Sequence, residues 1–175
     1  WIGDRSVLQL MPFQGRPISE RAGRRLWITP GSERARPHEY TVELSGRSGD
    51  ARRGGLRAEM TATSHAAAFR VRDTDAASIV GFVIDQPTDQ GRLVWTDADA
   101  FEGWTPEGPE DWGNAPRCYF AGTVLRHDDH GPHGPHGTHG PLDDDGRPRV
   151  AGYVAGRGSL EVRVAVSFIS VEQAR

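Results

Sequence analysis

The chain has 175 residues, which is enough for one domain with a core of its own, and its formal net charge is −3. It has no basic stripe, which argues against nucleic acid as a partner, and no apolar segment near the roughly 18 residues that a membrane-spanning helix needs. The single cysteine, Cys118, excludes an internal disulfide, and we predict that its thiol is buried in a strand-like run.

Apolar and polar residues alternate at every second position through much of the chain, which predicts β-strands. In chain order the candidate strands are Val7–Met11, Tyr40–Leu44, Leu56–Thr63, Ala68–Val71, Ile79–Ile84, Leu93–Trp95, Tyr119–Leu125, Val150–Val154 and Leu160–Phe168. No window of ten residues shows helical periodicity. Short strands separated by glycine- and proline-rich turns predict an all-β sandwich or barrel.

Two of these strands carry further information. Ile79–Ile84 is almost entirely apolar, so we expect it to lie between two layers of structure. Leu160–Phe168 has the clearest alternation, which predicts one buried and one solvated face. The predicted buried face is Leu160, Val162, Val164, Val166 and Phe168, and the predicted solvated face is Glu161, Arg163, Ala165 and Ser167.

Both ends of the chain predict a piece of a longer polypeptide. The chain begins at Trp1 without an initiating methionine, and Ser170 is followed three residues later by Gln173, which is the capping-box pattern that opens a helix. We therefore expect a β-sandwich domain over residues 1–169 and, over residues 170–175, the start of a helical linker to a missing catalytic domain. A frayed tail is the alternative.

A histidine-, glycine- and proline-rich segment at residues 127–146 interrupts the strand pattern. Its five histidines recur every third residue and are His127, His130, His133, His136 and His139. Imidazoles with nearby carboxylates can bind Zn, Ni or Cu, so these five are weak candidates for a metal site. The favoured interpretation is a mobile, solvated insertion that binds metal only by accident, because such a repeat lacks a rigid second layer of ligand contacts.

Trp104 and Trp112 lie among acidic residues, glycines and prolines in the predicted loop Asp97–Pro116. A tryptophan face can stack on the apolar side of a sugar ring while nearby carboxylates bind its hydroxyls, so both are candidate substrate-binding residues. The alternative, held equal, is that both side chains plug an open edge of the core.

The chain has no motif that marks a catalytic site. It lacks a nucleophile elbow, a phosphate-binding glycine loop, a dinucleotide-binding fingerprint and a calcium-binding EF-hand loop. No pair of carboxyl groups stands out as the acid and base of a glycosidase. The sequence therefore predicts no catalytic residues within these 175 positions.

Five stretches, in order, resemble the N-terminal domain of glycoside hydrolase family 92, the calcium-dependent α-mannosidases. Ile2–Gly15 is similar to the family pattern GD-I-x-V-MP-x-x-G, and Glu33–Leu44 to E-x-A-x-P-G-Y-Y-x-V-x-L. Leu56–Val71 resembles the strand pair with A-E-[LM]-T-A-T, and Trp112–Val124 resembles W-x-N-x-P-x-Y-F-x-A. Val162–Arg175 matches V-x-V-G-[IV]-SF-[IV]-SV-E-x-A-[RK] most closely, whereas Trp27–Pro30 lacks the histidine of the family's F-S-H-E element.

This resemblance implies a two-sheet antiparallel β-sandwich of the galactose-mutarotase-like kind, followed by a helical (α/α) barrel in the same polypeptide. It implies that the catalytic acid and base, and most ligands of a Ca²⁺ ion, lie in that barrel. It also implies a secreted or periplasmic bacterial enzyme that is inverting and acts on mannose-containing glycans. By their place in the first motif, Trp1 and Asp4 are implied to be on the pocket side of the domain.

Three hypotheses follow. The first is a domain that supports the barrel of an exo-α-mannosidase and completes its sugar pocket, and this fragment alone is then inactive. The second is a stand-alone carbohydrate-binding module that uses Trp104 and Trp112. The third is an extracellular metal-binding protein that uses the histidine-rich segment.

Overall fold

The structure is a computed structural model that describes residues 8–45, 55–74, 78–86, 90–106, 117–126, 138–142 and 151–175. Its strands are β1 (Gln9–Gln14), β2 (Trp27–Ile28), β3 (Arg34–Arg36), β4 (Glu39–Ser45), β5 (Leu56–Ala62), β6 (Ala66–Asp73), β7 (Ile79–Asp85), β8 (Arg92–Asp97), β9 (Ala100–Pro106), β10 (Arg117–Arg126), β11 (His139–Pro141), β12 (Ala151–Arg157) and β13 (Ser159–Ser167). A 3-10 helix covers Arg21–Arg24, and a single-turn helix, α1, covers Val171–Ala174.

The strands form two antiparallel sheets. The large sheet has the order β2-β4-β5-β6-β13-β10-β9-β8, with β3 also paired to β4, and the small sheet has the order β1-β7-β12-β11. Buried side chains of both sheets meet in one core, which includes Val80, Phe82, Ile84 and Val154 of the small sheet and Phe120 and Val162 of the large sheet. The predicted all-β, two-sheet antiparallel sandwich is therefore confirmed.

Two glycines allow two phenylalanine rings to fit into this core. Gly122 of β10 lies opposite Phe101 of β9, and Gly103 of β9 lies opposite Phe120 of β10. A Cβ atom on Gly122 would lie 2.2 Å from the ring of Phe101, and one on Gly103 would lie 2.6 Å from the ring of Phe120. Each ring thus occupies the space that a side chain on the opposite strand would need, which gives dense packing between the sheets.

β7 lies between two layers, as its apolar sequence predicts. On one side, Val80, Phe82 and Ile84 enter the core between the sheets. On the other side, Val83 belongs to a second buried cluster, whose further members are Phe13, Leu142, Ala151 and Ala155. The centre of the small sheet is therefore buried on both faces.

A buried cluster of charged residues connects the 3-10 helix to this second face of the small sheet. Asp85, at the end of β7, is 1% exposed and accepts hydrogen bonds from Arg21 at 2.8 and 2.9 Å and from Arg24. Arg24 also donates to the carbonyl oxygens of Ile18 (2.7 Å) and Ser19 (2.5 Å). Burial alone would raise the pKa of Asp85, yet the hydrogen bonds from the two guanidinium groups leave it below its usual value. The carboxylate thus stays ionised inside the protein.

Several sequence-based expectations need correction. The loop predicted at Asp97–Pro116 contains β9, and the segment predicted as a mobile loop at residues 127–146 contains β11, followed by the buried Leu142. Both strands were missed because glycine and proline interrupt their apolar pattern, so pairing with a neighbouring strand decides their structure. The predicted first strand, Val7–Met11, corresponds to β1 at Gln9–Gln14.

The faces predicted for the last strand are also partly wrong. Phe168 lies beyond the end of β13 and is 58% exposed, whereas Glu161 is buried. Glu161 is tolerated there because two arginines pair with it. Cys118 is buried, as expected.

Candidate functional surface

The large sheet has an outer face that points away from the small sheet, and α1 lies on it. Ser170 caps α1 by accepting a hydrogen bond from the backbone N–H of Gln173 at 3.3 Å, which confirms the predicted cap and helix. Ala174 is buried, and Arg175 donates to Glu102 of β9 at 2.5 and 3.1 Å. These contacts fix the end of the chain against β9, β10 and β13.

A groove runs beside α1 across the strands of this outer face. Its volume is about 380 Å³, and Ala174 at the C-terminal end of α1 and the following residue, Arg175, form part of its wall. Its floor consists of short side chains on four neighbouring strands, namely Ala66, Ala100, Ala121, Thr123 and Ala165. They are brought together because Ala121 lies opposite Ala165, and Ala165 lies opposite Ala66. We call this feature the small-residue groove.

Next to the groove, ionic side chains cover the outer face of β5, β6 and β13. Arg70 bridges two carboxylates, contacting Glu161 at 2.6 Å and Glu59 at 3.5 Å. Arg163 donates to Glu161 at 2.7 Å, and Glu59 also accepts from two further arginines. We call this set the arginine lattice: Arg57, Glu59, Arg70, Arg72, Glu161 and Arg163. Its four arginines and two glutamates leave a net charge of +2.

The arginines hold both carboxylates of the lattice in the ionised form. Burial would raise the pKa of Glu59, but hydrogen bonds and the charges of Arg72 and Arg57 leave it below its usual value. Glu161 behaves alike, because Arg70 and Arg163 outweigh the effect of burial and lower its pKa. A carboxyl group that donates a proton at neutral pH needs the opposite shift. Neither glutamate therefore has the electrostatic environment of a general acid.

Trp104, a predicted substrate-binding residue, lies on the outer face near the end of β9. It is half-buried, its cross-strand neighbour is Tyr119, and the guanidinium of Arg117 lies 4.2 Å from the centre of its ring. Arginine over an indole face is a favourable cation–π contact. One face of the indole is therefore already occupied.

The remaining predicted substrate-binding residues, Trp1, Asp4 and Trp112, lie outside the described residues, as do His127, His130, His133 and His136. His139, the fifth candidate metal ligand, packs against Trp95 with the ring centres 4.6 Å apart and the ring planes tilted by 40°. Trp95 in turn makes an edge contact with Phe101 at 5.4 Å. His139 therefore joins an edge strand of the small sheet to an edge strand of the large sheet.

No group of three or more histidine, cysteine, aspartate or glutamate side chains that could hold a metal ion occurs among the described residues. The carboxylates that do come together on the outer face are each paired with arginines. A divalent cation would have to displace these cations, so the lattice does not fit a Ca²⁺ site. Among the described helices, none has the length and apolar character needed to cross a membrane.

The sequence analysis did not predict the arginine lattice or the groove, although the residue types on their strands contain a pattern for each. Arginine and glutamate occupy the polar positions of β5, β6 and β13, and alanine occupies the outward positions next to them. Only the strand order reveals that these positions are neighbours, because β13 lies between β6 and β10 in the sheet.

The family model of the glycosyl hydrolase family 92 N-terminal domain matches residues 1–167. The chain belongs to this family. This confirms the resemblance that the five sequence motifs indicated, over nearly the whole chain. No curated protein matches the chain at a significant level.

Two solved structures of family 92 enzymes share this fold. One is an inverting mannosidase from Bacteroides thetaiotaomicron, with a TM-score of 0.69 and 20% identity over 95% of this chain. The other is the glycosyl hydrolase ccman5, with a TM-score of 0.69 and 21% identity over 97% of this chain. The chain spans 22% and 24% of the lengths of these two structures, so both have several hundred residues beyond the shared domain.

Proposed function

We propose that this family 92 domain supports the catalytic (α/α) barrel of an exo-α-mannosidase and completes its sugar pocket. The longer polypeptide that contains both is called the parent protein below. The observation that carries the proposal is the outer face of the large sheet. There α1 packs on the sheet, and no other helix covers this face among the described residues. The two residues just before the cap of α1, Phe168 and Ile169, are apolar and exposed. Exposed apolar residues next to a docked helix favour an interface with another domain.

The electrostatics of three described carboxylates support a non-catalytic role. Glycoside hydrolysis requires one carboxyl group that donates a proton and a second that acts as base or nucleophile. Glu59, Glu161 and Asp85 are paired with arginines, which lower the pKa of each. Hydrolysis of the glycosidic bond is therefore assigned to carboxyl groups of the barrel, by an inverting mechanism in which a base activates water.

Trp1 and Asp4 are proposed to form the wall that this domain adds to the sugar pocket. The proposal follows from their place in the first family motif, since an indole face and a carboxylate suit the apolar and hydroxyl sides of a sugar ring. Pockets at domain interfaces are common, and the second wall would come from the barrel. Trp104 and Trp112 are proposed as further contacts for a larger glycan.

Calcium is proposed to be bound mostly by residues of the parent protein outside this chain. The arginine lattice supports this assignment, because its carboxylates are already neutralised. In the barrel, the cation would supply a positive charge that binds and polarises sugar oxygens. We further propose that the parent protein is a secreted or periplasmic bacterial enzyme that acts on mannose-containing glycans.

The proposal is tested by kinetics of the parent protein on an aryl α-mannoside with calcium present. We expect Trp1→Ala and Asp4→Asn each to lower kcat/KM by about tenfold or more, as loss of a pocket contact does. The control is Ile79→Ala, which should leave kcat/KM unchanged because Ile79 is an exposed residue on the small sheet. A parent protein without α-mannosidase activity, or pocket variants that match the control, would refute the proposal.

A further inference from the structure

A polar pocket lies near the edge of the large sheet that is formed by β2 and β3. It lies on β3, β4 and β5, whereas α1 contacts β9, β10 and β13 at the other side of the sheet. Its volume is about 310 Å³, near the lower end of the range for small-molecule sites. Its lining is mostly polar and includes Thr29, Ser32, Arg34, Thr41, Glu43 and Arg57. We call this feature the edge pocket.

The turn between β2 and β3 forms a preformed wall of the edge pocket. The backbone N–H of Thr29 donates to the carbonyl oxygen of Glu43 at 2.9 Å, which holds the turn against β4. The hydroxyl of Ser32 donates to the carbonyl oxygen of Thr29 at 2.7 Å and accepts from the backbone N–H of Glu43 at 3.1 Å. Gly31 has a φ of 77°, a conformation that glycine adopts without strain. A ligand would therefore meet a wall whose shape is already fixed by hydrogen bonds.

Three polar side chains of the edge pocket have no partner within the described part of the chain. Arg34 and Glu43 are exposed and make no ion pair there. Thr41, opposite Arg34 in the sheet, is only 6% exposed, yet its hydroxyl makes no hydrogen bond to a described residue. The remaining charged group, Arg57, is paired with Glu59 at 3.0 Å. Because a buried hydroxyl without a partner costs free energy, Thr41 favours a ligand that bonds to it.

The charges of the edge pocket suit a neutral ligand with several hydroxyl groups. The free carboxylate of Glu43 repels small anions, and the free guanidinium of Arg34 repels small cations. A hydroxyl group can donate to a carboxylate and accept from a guanidinium, so a ring with several hydroxyls can bond to both. The pocket therefore favours a polyhydroxylated ring over an ion of either sign.

Trp27 provides an apolar surface beside the edge pocket. It is 64% exposed and lies opposite Ser45 of β4. Ser45 is two residues from Glu43, so Trp27 stands on the same face of the sheet as the pocket, about 7 Å along β4 from Glu43. The large ring of tryptophan can pack on the apolar C–H side of a sugar ring. An indole next to groups that bind hydroxyls is the combination that recognises a pyranose.

We infer that the edge pocket binds one pyranose ring of a glycan. Trp27 packs on the C–H side of the ring, and Arg34, Thr41 and Glu43 bond to its hydroxyl groups. The small volume of the pocket limits the enclosed part of the ligand to one ring. The inference goes beyond the proposed function, because the site consists of this chain's own residues and binding needs no hydrolysis.

The test titrates the 175-residue chain with methyl α-mannoside, methyl β-glucoside and methyl β-galactoside and follows binding by saturation-transfer difference NMR. We expect at least one of the three pyranosides to bind. Trp27→Ala and Arg34→Ala should each raise its dissociation constant at least about tenfold, because each removes a direct contact. Trp27→Phe, which keeps an aromatic face, should retain most of the binding. Arg36→Ala is the matched control and should change nothing, because Arg36 is also exposed on β3 but does not line the pocket.

The substituted residues are exposed, so all four variants should melt at the wild-type temperature, which circular dichroism checks. Failure of the wild-type chain to bind any of the three pyranosides would overturn the inference. Binding that Trp27→Ala and Arg34→Ala leave unchanged would also overturn it, since the sugar would then lie elsewhere. Inorganic phosphate that binds through Arg34 in place of a pyranoside would show an anion site instead.

The outcomes for the edge pocket and for the proposed function can be told apart. Binding is measured on the 175-residue chain, and hydrolysis is measured on the parent protein. A chain that binds a pyranoside, with a parent protein that hydrolyses no α-mannoside, would refute the mannosidase function and leave the edge pocket. An active parent protein whose 175-residue domain binds no pyranoside would do the reverse.

Discussion

The two sheets differ most in what covers their outer faces. The chain itself covers the small sheet, with a second apolar cluster around Val83 and a 3-10 helix held by the contacts of Arg21 and Arg24 with Asp85. The large sheet has α1 on one part of its outer face, and the rest carries the small-residue groove and the arginine lattice. A covered face stabilises the domain, whereas the open face is available to a partner.

The charged residues of the two faces show the same difference. Asp85 is 1% exposed and is paired with two arginines. Glu59 and Glu161 are also mostly covered, but by arginines whose own side chains are 40–61% exposed. Changes on the covered face should therefore affect folding, and changes on the open face should affect association.

The largest effect is expected at Asp85. Asp85→Ala leaves two arginines facing a buried site without their counter-charge, and breaking a buried ion pair in this way costs about 3–5 kcal/mol of unfolding free energy. Urea denaturation of the isolated chain measures the loss. Asp97→Ala, at an exposed aspartate at the end of β8, is the control and should cost much less.

The same carboxylate should make the covered face sensitive to acid. Because the pKa of Asp85 is lowered in the folded state, its contribution to stability is present above the usual carboxyl pKa of about 4. That contribution is lost as the pH falls through the lower folded-state pKa. Asp85→Ala should therefore weaken the dependence of unfolding free energy on pH in this acidic range. An unchanged pH profile would show that Asp85 is not the titrating group.

A second comparison uses one apolar residue from each face. Leu142 is buried in the cluster on the small sheet, so Leu142→Ala should cost about 2–5 kcal/mol through lost burial and a cavity. Ile169 is 73% exposed beside α1, so Ile169→Ala should leave the melting temperature of the isolated chain nearly unchanged. Equal losses for the two variants would show that Ile169 is already packed within the domain.

A smaller effect than at Asp85 or Leu142 is expected in the arginine lattice. Glu59→Gln removes one carboxylate from contacts with exposed arginines, and pairs of this kind contribute at most about 1 kcal/mol. The difference between this variant and the wild type should shrink in high salt, because salt screens exposed charges. A loss as large as that of Asp85→Ala would mean that the lattice is a structural element of the fold.

The fold could be predicted from the sequence because strand alternation is a local signal. The alternation of Leu160, Val162 and Val164 predicted a half-buried strand, and the apolar run Ile79–Ile84 predicted a strand between two layers. Ser170 with Gln173 predicted the cap of α1. β9 and β11 were missed because glycines and prolines break their local pattern. Their strand structure depends on pairing with β10 and β12.

The candidate surface was harder to predict because it depends on strand order. Ala66, Ala121 and Ala165 are distant in sequence and adjacent only in the sheet. The ion pairs of Asp85 with Arg21 and Arg24 were also hard to predict. A charged residue at the end of an apolar strand indicates that it needs a partner, but the sequence does not identify that partner. His139 was predicted as a weak metal candidate, and its contact with Trp95 became visible only when β11 was placed.

The central claim is that this domain supports a catalytic domain whose acid and base it does not contain. The most direct measurement is hydrolysis of an aryl α-mannoside, with calcium present, by the isolated chain of residues 1–175 and by the parent protein at equal concentration. We predict release of the aryl alcohol by the parent protein and no release above the uncatalysed rate by the isolated chain. Calcium-dependent hydrolysis by the isolated chain would contradict the claim.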